Sequence, residues 1–238
     1  MTKGSAMGIV PATWAVGVAT LLAIDVSKTP KEISMKNMWI VALGCAAITL
    51  IGVSNAEAKE CTYSLDSKDV KMQWTAFKTT EKLGVKGTFT KVSVKGATSA
   101  GSLGQLAKGL SMELDGASVE SGNAGRNVTI KQFFFEKFAP SLGIKASVAK
   151  LEGDDTKGTI HISLSLNGVS KTLPFAYTVQ SGVLEAKASM TMSDFALKTA
   201  FDSLHNACGT LHTGKDGVPK TWEDVDLVVS SKFSKVCK

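Results

Sequence analysis

The chain has 238 residues, a net charge of +6 and 20% charged residues. This positive excess is mild, and the basic residues are scattered along the chain rather than clustered with aromatic residues, which argues against a nucleic-acid-binding protein. The charge permits transient contact with an anionic membrane surface but does not require it.

An export signal is indicated ahead of the main domain. Met35-Lys36-Asn37 is a short basic start, residues 38–53 are apolar, and Ala56-Glu57-Ala58 is a small-x-small cleavage site. This order is typical of a secretory signal peptide. We therefore predict a signal peptide over 35–58 and a periplasmic location for the mature protein.

The prediction of a signal peptide divides the chain into three parts. Residues 1–34 are interpreted as an upstream segment from a mis-assigned start, and a membrane segment over 7–24 is the alternative. Residues 59–238 form the mature domain, which is long enough for one sizeable core.

Apolar and polar residues alternate through most of this domain. Over 159–166, for example, Ile160, Ile162, Leu164 and Leu166 share one face. A period of two is typical of strands with one dry and one wet face. The pattern predicts strands over 70–77, 85–94, 110–118, 143–151, 157–167, 172–179, 183–192 and 223–235.

Nearly every predicted strand has an apolar face, so the sheet must fold over on itself to bury it. Short links such as 167–168 and 180–182 favour antiparallel neighbours. The sequence therefore predicts an all-β fold, an antiparallel lipocalin-like β-barrel of about eight strands with short helices near its mouth.

Three segments break the strand period. Residues 102–109 have leucines at roughly helical spacing, and 130–138 hold four phenylalanines. Residues 193–208 are predicted to form a helix capped by Ser193.

The inward-facing residues of the strands are candidates to line a cavity. These candidates are Met72, Trp74, Val85, Phe89, Met112, Leu114, Ile162, Leu164, Phe175, Tyr177, Ala186, Ala188 and Met190. Small alanines leave room, and flexible methionines adapt to an irregular ligand. A barrel of this size holds one small ligand or is filled by its own side chains, so a solid core is the alternative.

Three cysteines remain after removal of the signal peptide. Cys61 begins the mature domain and Cys237 nearly ends it. In a closed antiparallel barrel the first and last strands are neighbours, so we predict a Cys61–Cys237 disulfide with Cys208 free. A Cys208–Cys237 pair is the main alternative.

Few residues offer other chemistry. His205, Cys208 and His212 have a spacing that weakly suggests a zinc or copper site, and solvated histidines at a helix end are the alternative. Arg126 either meets a lipid head group or pins its loop. We predict no catalytic group and no cofactor.

Several motifs together resemble the YceI-like family of bacterial periplasmic proteins. The resemblance begins with 61–66 and the Trp74 strand, continues through 84–89, and spans nearly all of the mature domain in order. The remaining matching segments are 117–123, Arg126-Asn127, Phe133-Phe134-Phe135, 166–171, 193–197 and 224–228.

This resemblance implies a lipocalin-like barrel that binds a polyisoprenoid, an isoprenoid quinone or a fatty-acyl lipid, with no catalytic apparatus. Phe134 and Arg126 join the candidate ligand contacts, and Arg126 or Tyr177 is the candidate for a polar head group. The alternative function is a stress or interaction module with a filled barrel.

Overall fold

The computed structural model describes residues 59–138 and 143–238. The predicted upstream segment (1–34) and signal peptide (35–58) lie outside these residues. Within the described ranges, no helix is both long enough and apolar enough to cross a membrane.

One antiparallel sheet of twelve strands forms the described part of the chain. The strands are β1 (Cys61–Leu65), β2 (Lys71–Lys78), β3 (Leu83–Phe89), β4 (Val92–Lys95), β5 (Ser99–Ala100), β6 (Ser111–Asp115), β7 (Val119–Glu120), β8 (Gly143–Gly153), β9 (Lys157–Leu166), β10 (Val169–Gln180), β11 (Val183–Thr191) and β12 (Thr221–Cys237). Neighbours follow the order β4, β6, β8, β9, β10, β11, β12, β2, β3, β7, while β1 pairs with β12 and β5.

The sheet curls until the two ends of this order meet. β4 follows β3 after only two residues, Thr90 and Lys91, so the two strands continue one another. The Thr90 N–H donates to the Ser118 carbonyl (2.9 Å), and the Asp115 N–H donates to the Lys91 carbonyl (3.2 Å). The segment that joins β6 to β7 therefore runs beside the segment that joins β3 to β4, which gives the sheet its barrel-like form.

The all-β, antiparallel prediction is confirmed, but the predicted number of about eight strands is wrong. The segment 85–94 is interrupted at Thr90-Lys91 and forms two strands. The segment 110–118 ends in a 3-10 turn, after which β7 adds two residues. The short strands β1 and β5 show no sustained alternation and were not predicted.

The long strand β12 closes the structure and carries the disulfide. Its first part pairs with β2 and β11, and its last five residues pair with β1, where Cys61 and Cys237 are register partners. The predicted Cys61–Cys237 disulfide is confirmed, and Cys208 is free and buried. The alternative Cys208–Cys237 pair is wrong.

Three α-helices cover the ends of the curled sheet: α1 (Leu103–Ala107), α2 (Ala124–Phe133) and α3 (Lys198–Cys208). Ser102 caps α1 and Asn123 caps α2, in each case by accepting a backbone N–H with the side chain. The prediction that Ser193 caps the third helix is wrong, because Ser193 lies in a separate 3-10 turn and α3 begins five residues later.

The interior of the curl is the hydrophobic core. On β9, Ile160, Ile162, Leu164 and Leu166 are all buried, whereas the residues between them are only half-buried, as the alternation predicted. Burial of such side chains is the main stabilising term in a fold of this kind, at about 25 cal/mol per Å² of apolar surface.

Candidate ligand-binding site

Two cavities lie inside the curl, each of about 110 Å³. The two cavities share no lining residue. On some strands, one inward-facing residue lines one cavity and the next inward-facing residue lines the other. On β9, Leu164 lines one cavity and Ile162 the other; on β12, Leu227 and Val229 divide in the same way. A layer of side chains therefore crosses the interior at this level.

The cavity bounded by α2 and α3 is called the upper cavity. Its lining residues are Met72, Trp74, Ala76, Phe89, Ile130, Phe134, Phe135, Phe138, Ile144, Leu164, Leu166, Met190, Met192, Leu197, Leu204, Val225 and Leu227. Every one of these side chains is apolar apart from the indole N–H of Trp74. Phe134, Phe135 and Phe138 pack edge to face, with ring centroids 5.1–5.4 Å apart, and form one wall.

The second space, called the lower cavity, is bounded by α1. Leu103, Leu106 and Ala107 of this helix lie against Met112 and Ala186 from the sheet. The lining is again almost wholly apolar. Because α1 covers this end, the lower cavity lies farther from the helices α2 and α3.

A larger groove of about 520 Å³ lies at the α2 and α3 end of the sheet. It lies between α2, the end of α3 and the segment 211–212 on one side, and β2 and the start of β12 on the other. The register of β12 against β2 shifts between Thr221 and Val225. Such a bulge re-aims side chains, and it lies where Thr221 and Trp222 line the groove.

The groove and the upper cavity meet at a shared set of residues, called the neck. Trp74, Ala76, Ile130, Met192 and Leu204 line both spaces. The neck is thus where the surface groove and the apolar interior adjoin.

Trp74 is the largest side chain of the neck, and its indole ring packs over Gly87 of the neighbouring strand. A Cβ atom on Gly87 would lie 2.1 Å from the Trp74 ring, so only glycine permits this position of the indole. Trp74 is 9% exposed, and its Nε1 has no hydrogen-bond partner within the described chain. An unpaired buried N–H costs free energy, and a ligand acceptor at the neck would satisfy it.

The charged side chains that line the groove are Lys78 and Arg126, and no Asp or Glu lines it. The Lys78 Nζ donates to the Leu211 carbonyl at 3.1 Å. Arg126 donates from Nε to the Ser121 hydroxyl (2.9 Å) and from Nη2 to the Ser121 carbonyl (2.7 Å). The groove therefore has a positive lining with no acidic group to balance it.

Two histidines converge on one hydroxyl beside Lys78. The Oγ1 of Thr221 lies 3.0 Å from the Nδ1 of His205 and 2.7 Å from the Nδ1 of His212. A hydroxyl donates to one imidazole while it accepts from the other, so two neutral rings satisfy this arrangement. Burial, reinforced by Lys78 and His205, lowers the pKa of His212 to about 4, which keeps this ring neutral.

The sequence matches the YceI-like domain family over residues 63–231. The chain belongs to the YceI-like family. No curated protein sequence matches it significantly.

Three solved structures are similar to this YceI-like domain to different degrees. A polyisoprenoid binding domain from Saccharophagus degradans implicated in plant cell wall breakdown aligns with a TM-score of 0.50 and 18% identity, over 71% of this chain and 97% of that one. BcnA of Burkholderia cenocepacia aligns with a TM-score of 0.46 and 13% identity, over 71% of this chain and 99% of that one. A YCEI protein of Campylobacter jejuni aligns with a TM-score of 0.43 and 22% identity, over 65% of this chain and 85% of that one.

The structure of the YceI-like domain brings most of the predicted ligand contacts to these three spaces. Met72, Trp74, Phe89, Phe134, Leu164 and Met190 line the upper cavity; Met112, Ile162 and Ala186 line the lower cavity; Val85 and Arg126 line the groove. Leu114, Phe175, Tyr177 and Ala188 line none of the three.

Tyr177 and Arg126, the two candidates for a polar head group, have separate positions. Tyr177 is 2% exposed, and its hydroxyl donates to the Asp154 carbonyl at 2.6 Å, in the turn between β8 and β9. Burial raises the pKa of the Tyr177 hydroxyl above its ordinary value. Arg126 holds its loop through the Ser121 hydroxyl and carbonyl, and it also lines the groove.

Of the three weak metal candidates, His205 and His212 both contact the Thr221 hydroxyl. Cys208 and His212 line the groove, whereas the His205 ring stacks on Phe201, with ring centroids 6.2 Å apart. Residues 59–138 and 143–238 contain no group of three or more His, Cys, Asp or Glu side chains that is placed to hold a metal ion. Burial raises the pKa of the Cys208 thiol, so the thiolate that a metal prefers is disfavoured.

Sequence reasoning named Arg126 but missed other polar residues of the groove, such as Lys78, Thr129 and Thr221. Lys78 and Thr221 lie at strand ends, where alternation gives no face, and the four residues 123, 125, 126 and 129 of the groove belong to α2 and its cap. A helical reading of 123–133 from the Asn123 cap would have placed Arg126 and Thr129 on one side of the helix, three residues apart.

Proposed function

We propose that this YceI-like domain binds an amphiphilic lipid, with its apolar chain in the upper cavity and its polar end in the groove. The observation that carries this proposal is the neck, where five residues line both an apolar interior and a surface groove that carries Lys78 and Arg126. Binding of this kind needs dispersion and desolvation rather than a reaction, and we infer a carrier or sequestering protein rather than an enzyme.

The volumes indicate how such a lipid would lie. Ligand sites typically have about 300–1,000 Å³, so the groove is of the usual size and the upper cavity alone is not. A chain would thread from the groove through the neck, and each buried methylene would contribute about 0.8 kcal/mol. Methionines at positions 72, 190 and 192 line the upper cavity and adapt to a chain by rotation about unbranched side-chain bonds.

The chemical class of the lipid's hydrocarbon chain is inferred from a similar solved structure. The similar domain from Saccharophagus degradans is described as a polyisoprenoid binding domain. We infer a polyisoprenoid, isoprenoid quinone or fatty-acyl chain for the present domain, because a lining of aliphatic and aromatic side chains favours long hydrocarbon without specifying its branching.

Action in the periplasm is part of the proposal. The Cys61–Cys237 disulfide supports an oxidising compartment, in agreement with the predicted signal peptide over 35–58. N-terminal sequencing of the protein recovered from a bacterial periplasm is expected to begin at Lys59. A protein retained in the cytoplasm with its thiols reduced would contradict export.

Native mass spectrometry of the protein, purified from a periplasm without detergent, tests binding. We expect one bound species of lipid mass that is released on denaturation. An Ala76→Met variant adds bulk at the neck and is expected to lose this species while it remains folded. The control is Thr75→Met, which adds similar bulk to the outer face of the same strand and is expected to keep the lipid.

The outcomes separate the lipid carrier from a filled barrel. A wild-type protein that remains free of lipid after incubation with vesicles of bacterial lipid extract would contradict the proposal and favour the interaction module. Equal lipid binding by the wild type and by a folded Ala76→Met variant would place the lipid elsewhere than the neck.

A further inference from the structure

We infer that the groove is a binding site for an anionic head group, a carboxylate or a phosphate at the end of the bound chain. This inference rests on the proposed function, since the head group enters the groove only if its chain enters the neck. It assigns to Lys78 and Arg126 the role of selecting the charge of the lipid.

The charge of the groove is the first support. Lys78 and Arg126 are half-buried and line the groove, together with uncharged residues only. Neither residue forms an ion pair with a carboxylate within the described chain. Three acidic residues close in sequence to the groove lining have other partners. Asp224 pairs with Lys82 at 2.9 Å, the Glu81 carboxylate accepts the Lys215 N–H at 3.2 Å, and the Glu120 carboxylate accepts the Gly122 N–H at 2.6 Å.

Unused hydrogen-bond donors are the second support. A guanidinium has five N–H donors and an ammonium has three. Arg126 uses two of its donors on Ser121, and Lys78 uses one on the Leu211 carbonyl. Charged donors form stronger bonds to carboxylate or phosphate oxygens than to neutral acceptors, so the spare donors favour an anion.

The uncharged members of the groove reinforce this preference. The low pKa of His212 keeps its ring neutral, so this ring neither repels nor attracts the head group strongly. The Trp74 N–H, which is buried and without a partner, supplies one more donor at the neck. A cationic head group would meet two like charges and no carboxylate, at a cost that rises as water is excluded.

The test compares head groups on one chain length. Dodecanoate, dodecyl phosphate, 1-dodecanol and dodecyltrimethylammonium are titrated into the delipidated protein, and dissociation constants are measured by calorimetry. At least one of the two anions is expected to bind about tenfold or more tightly than the alcohol, and the cation is expected to bind most weakly. The better of the two anions identifies a carboxylate or a phosphate site.

A Lys78→Gln variant is expected to remove most of the preference for the anion, because it weakens binding of the anion far more than binding of the alcohol. Lys71→Gln is the control, because Lys71 is an exposed residue of the same strand and lines none of the three spaces. The Lys78 variant is chosen over an Arg126 variant because Arg126 also holds its loop.

The results distinguish the two proposals. Binding of the alcohol and both anions with equal affinity, or an anion preference that Lys78→Gln leaves intact, would overturn the head-group site while the lipid-binding proposal stands. Failure of all four compounds to bind would contradict the proposed function, and the head-group site with it.

Discussion

Met72 lies at the level where the interior divides. It lines the upper cavity, whereas its register partner Val229 and the next residue across the sheet, Ala186, line the lower cavity. A flexible, unbranched side chain at this level limits how far a bound chain can extend toward α1.

A Met72→Ala variant is therefore expected to join the two cavities and to accept longer chains. In a series of fatty acids of increasing length, the best-bound length should increase by several carbons, as measured by competition calorimetry. The loss of buried side-chain volume should also lower the free energy of unfolding by about 2–5 kcal/mol.

Met192→Ala is the matched control for chain length. Met192 lines the upper cavity and the groove, away from the dividing level. It should lower stability to a similar degree without shifting the preferred length toward longer chains. An unchanged length preference in a folded Met72→Ala protein would show that other side chains divide the interior.

At the scale of elements, His205 of α3 and His212 of the 3-10 turn Gly209–His212 both contact the Thr221 hydroxyl at the start of β12. The pKa of His212 is about 4 in the folded protein, below its ordinary value of 6.5. Between these values the unfolded chain takes up a proton that the folded chain does not. The stabilising contribution is therefore complete above pH 6.5 and is lost as the pH falls toward 4.

Urea unfolding at a series of pH values tests this linkage. The free energy of unfolding is expected to fall by about 1–2 kcal/mol between pH 6.5 and pH 4 through His212, after allowance for its partial exposure. A His212→Gln variant should show a flatter profile in this window, because it lacks the group that the unfolded chain protonates. Parallel profiles for the wild type and His212→Gln would contradict the assignment.

Strand alternation predicted the long strands well because each has one dry and one wet face. β9 and β11 were predicted to within a residue or two, and the inward positions Leu164 and Met190 line the upper cavity. Breaks in a strand depend on backbone geometry instead, so the interruption at Thr90-Lys91 left no trace in the apolar pattern.

The apolar residues of the site were largely predictable, whereas of its charged residues only Arg126 was predicted. The burial of Trp74 followed from its strand position. The packing of its ring over Gly87 depends instead on the register between β2 and β3. Tyr177 is buried as predicted, yet its hydroxyl is used at the turn between β8 and β9, because the register of β10 against β9 pairs Tyr177 with Gly158 next to that turn. The division of the interior depends on side-chain volumes from several strands, which sequence spacing does not reveal.

For the whole molecule, the disulfide ties the first strand to the end of the last. The bond between Cys61 and Cys237 spans 176 residues of sequence. A crosslink over so long a loop restricts the unfolded chain, and its removal is expected to cost up to about 4–5 kcal/mol.

Unfolding in urea measures this contribution. The double variant Cys61→Ser/Cys237→Ser should unfold at a lower urea concentration, and reductant should not shift it further. Cys208→Ala is the control, since it retains the bridge and its sensitivity to reductant. Equal midpoints for the wild type and the double variant would show that strand pairing alone holds this end closed.

The account of the whole molecule depends on a lipid chain that passes Trp74 at the neck. Residues 59–238 contain two tryptophans, Trp74 and Trp222. In a Trp222→Phe variant of residues 59–238, Trp74 alone reports on contact with the lipid chain through its fluorescence. A brominated fatty acid quenches an indole only at close contact, so its titration measures this contact directly.

We expect saturable quenching of Trp74 fluorescence at one brominated chain per protein, reversed by an excess of the same acid without bromine. Stoichiometric binding of the brominated chain, established by calorimetry, with unchanged Trp74 fluorescence would contradict a route through the neck.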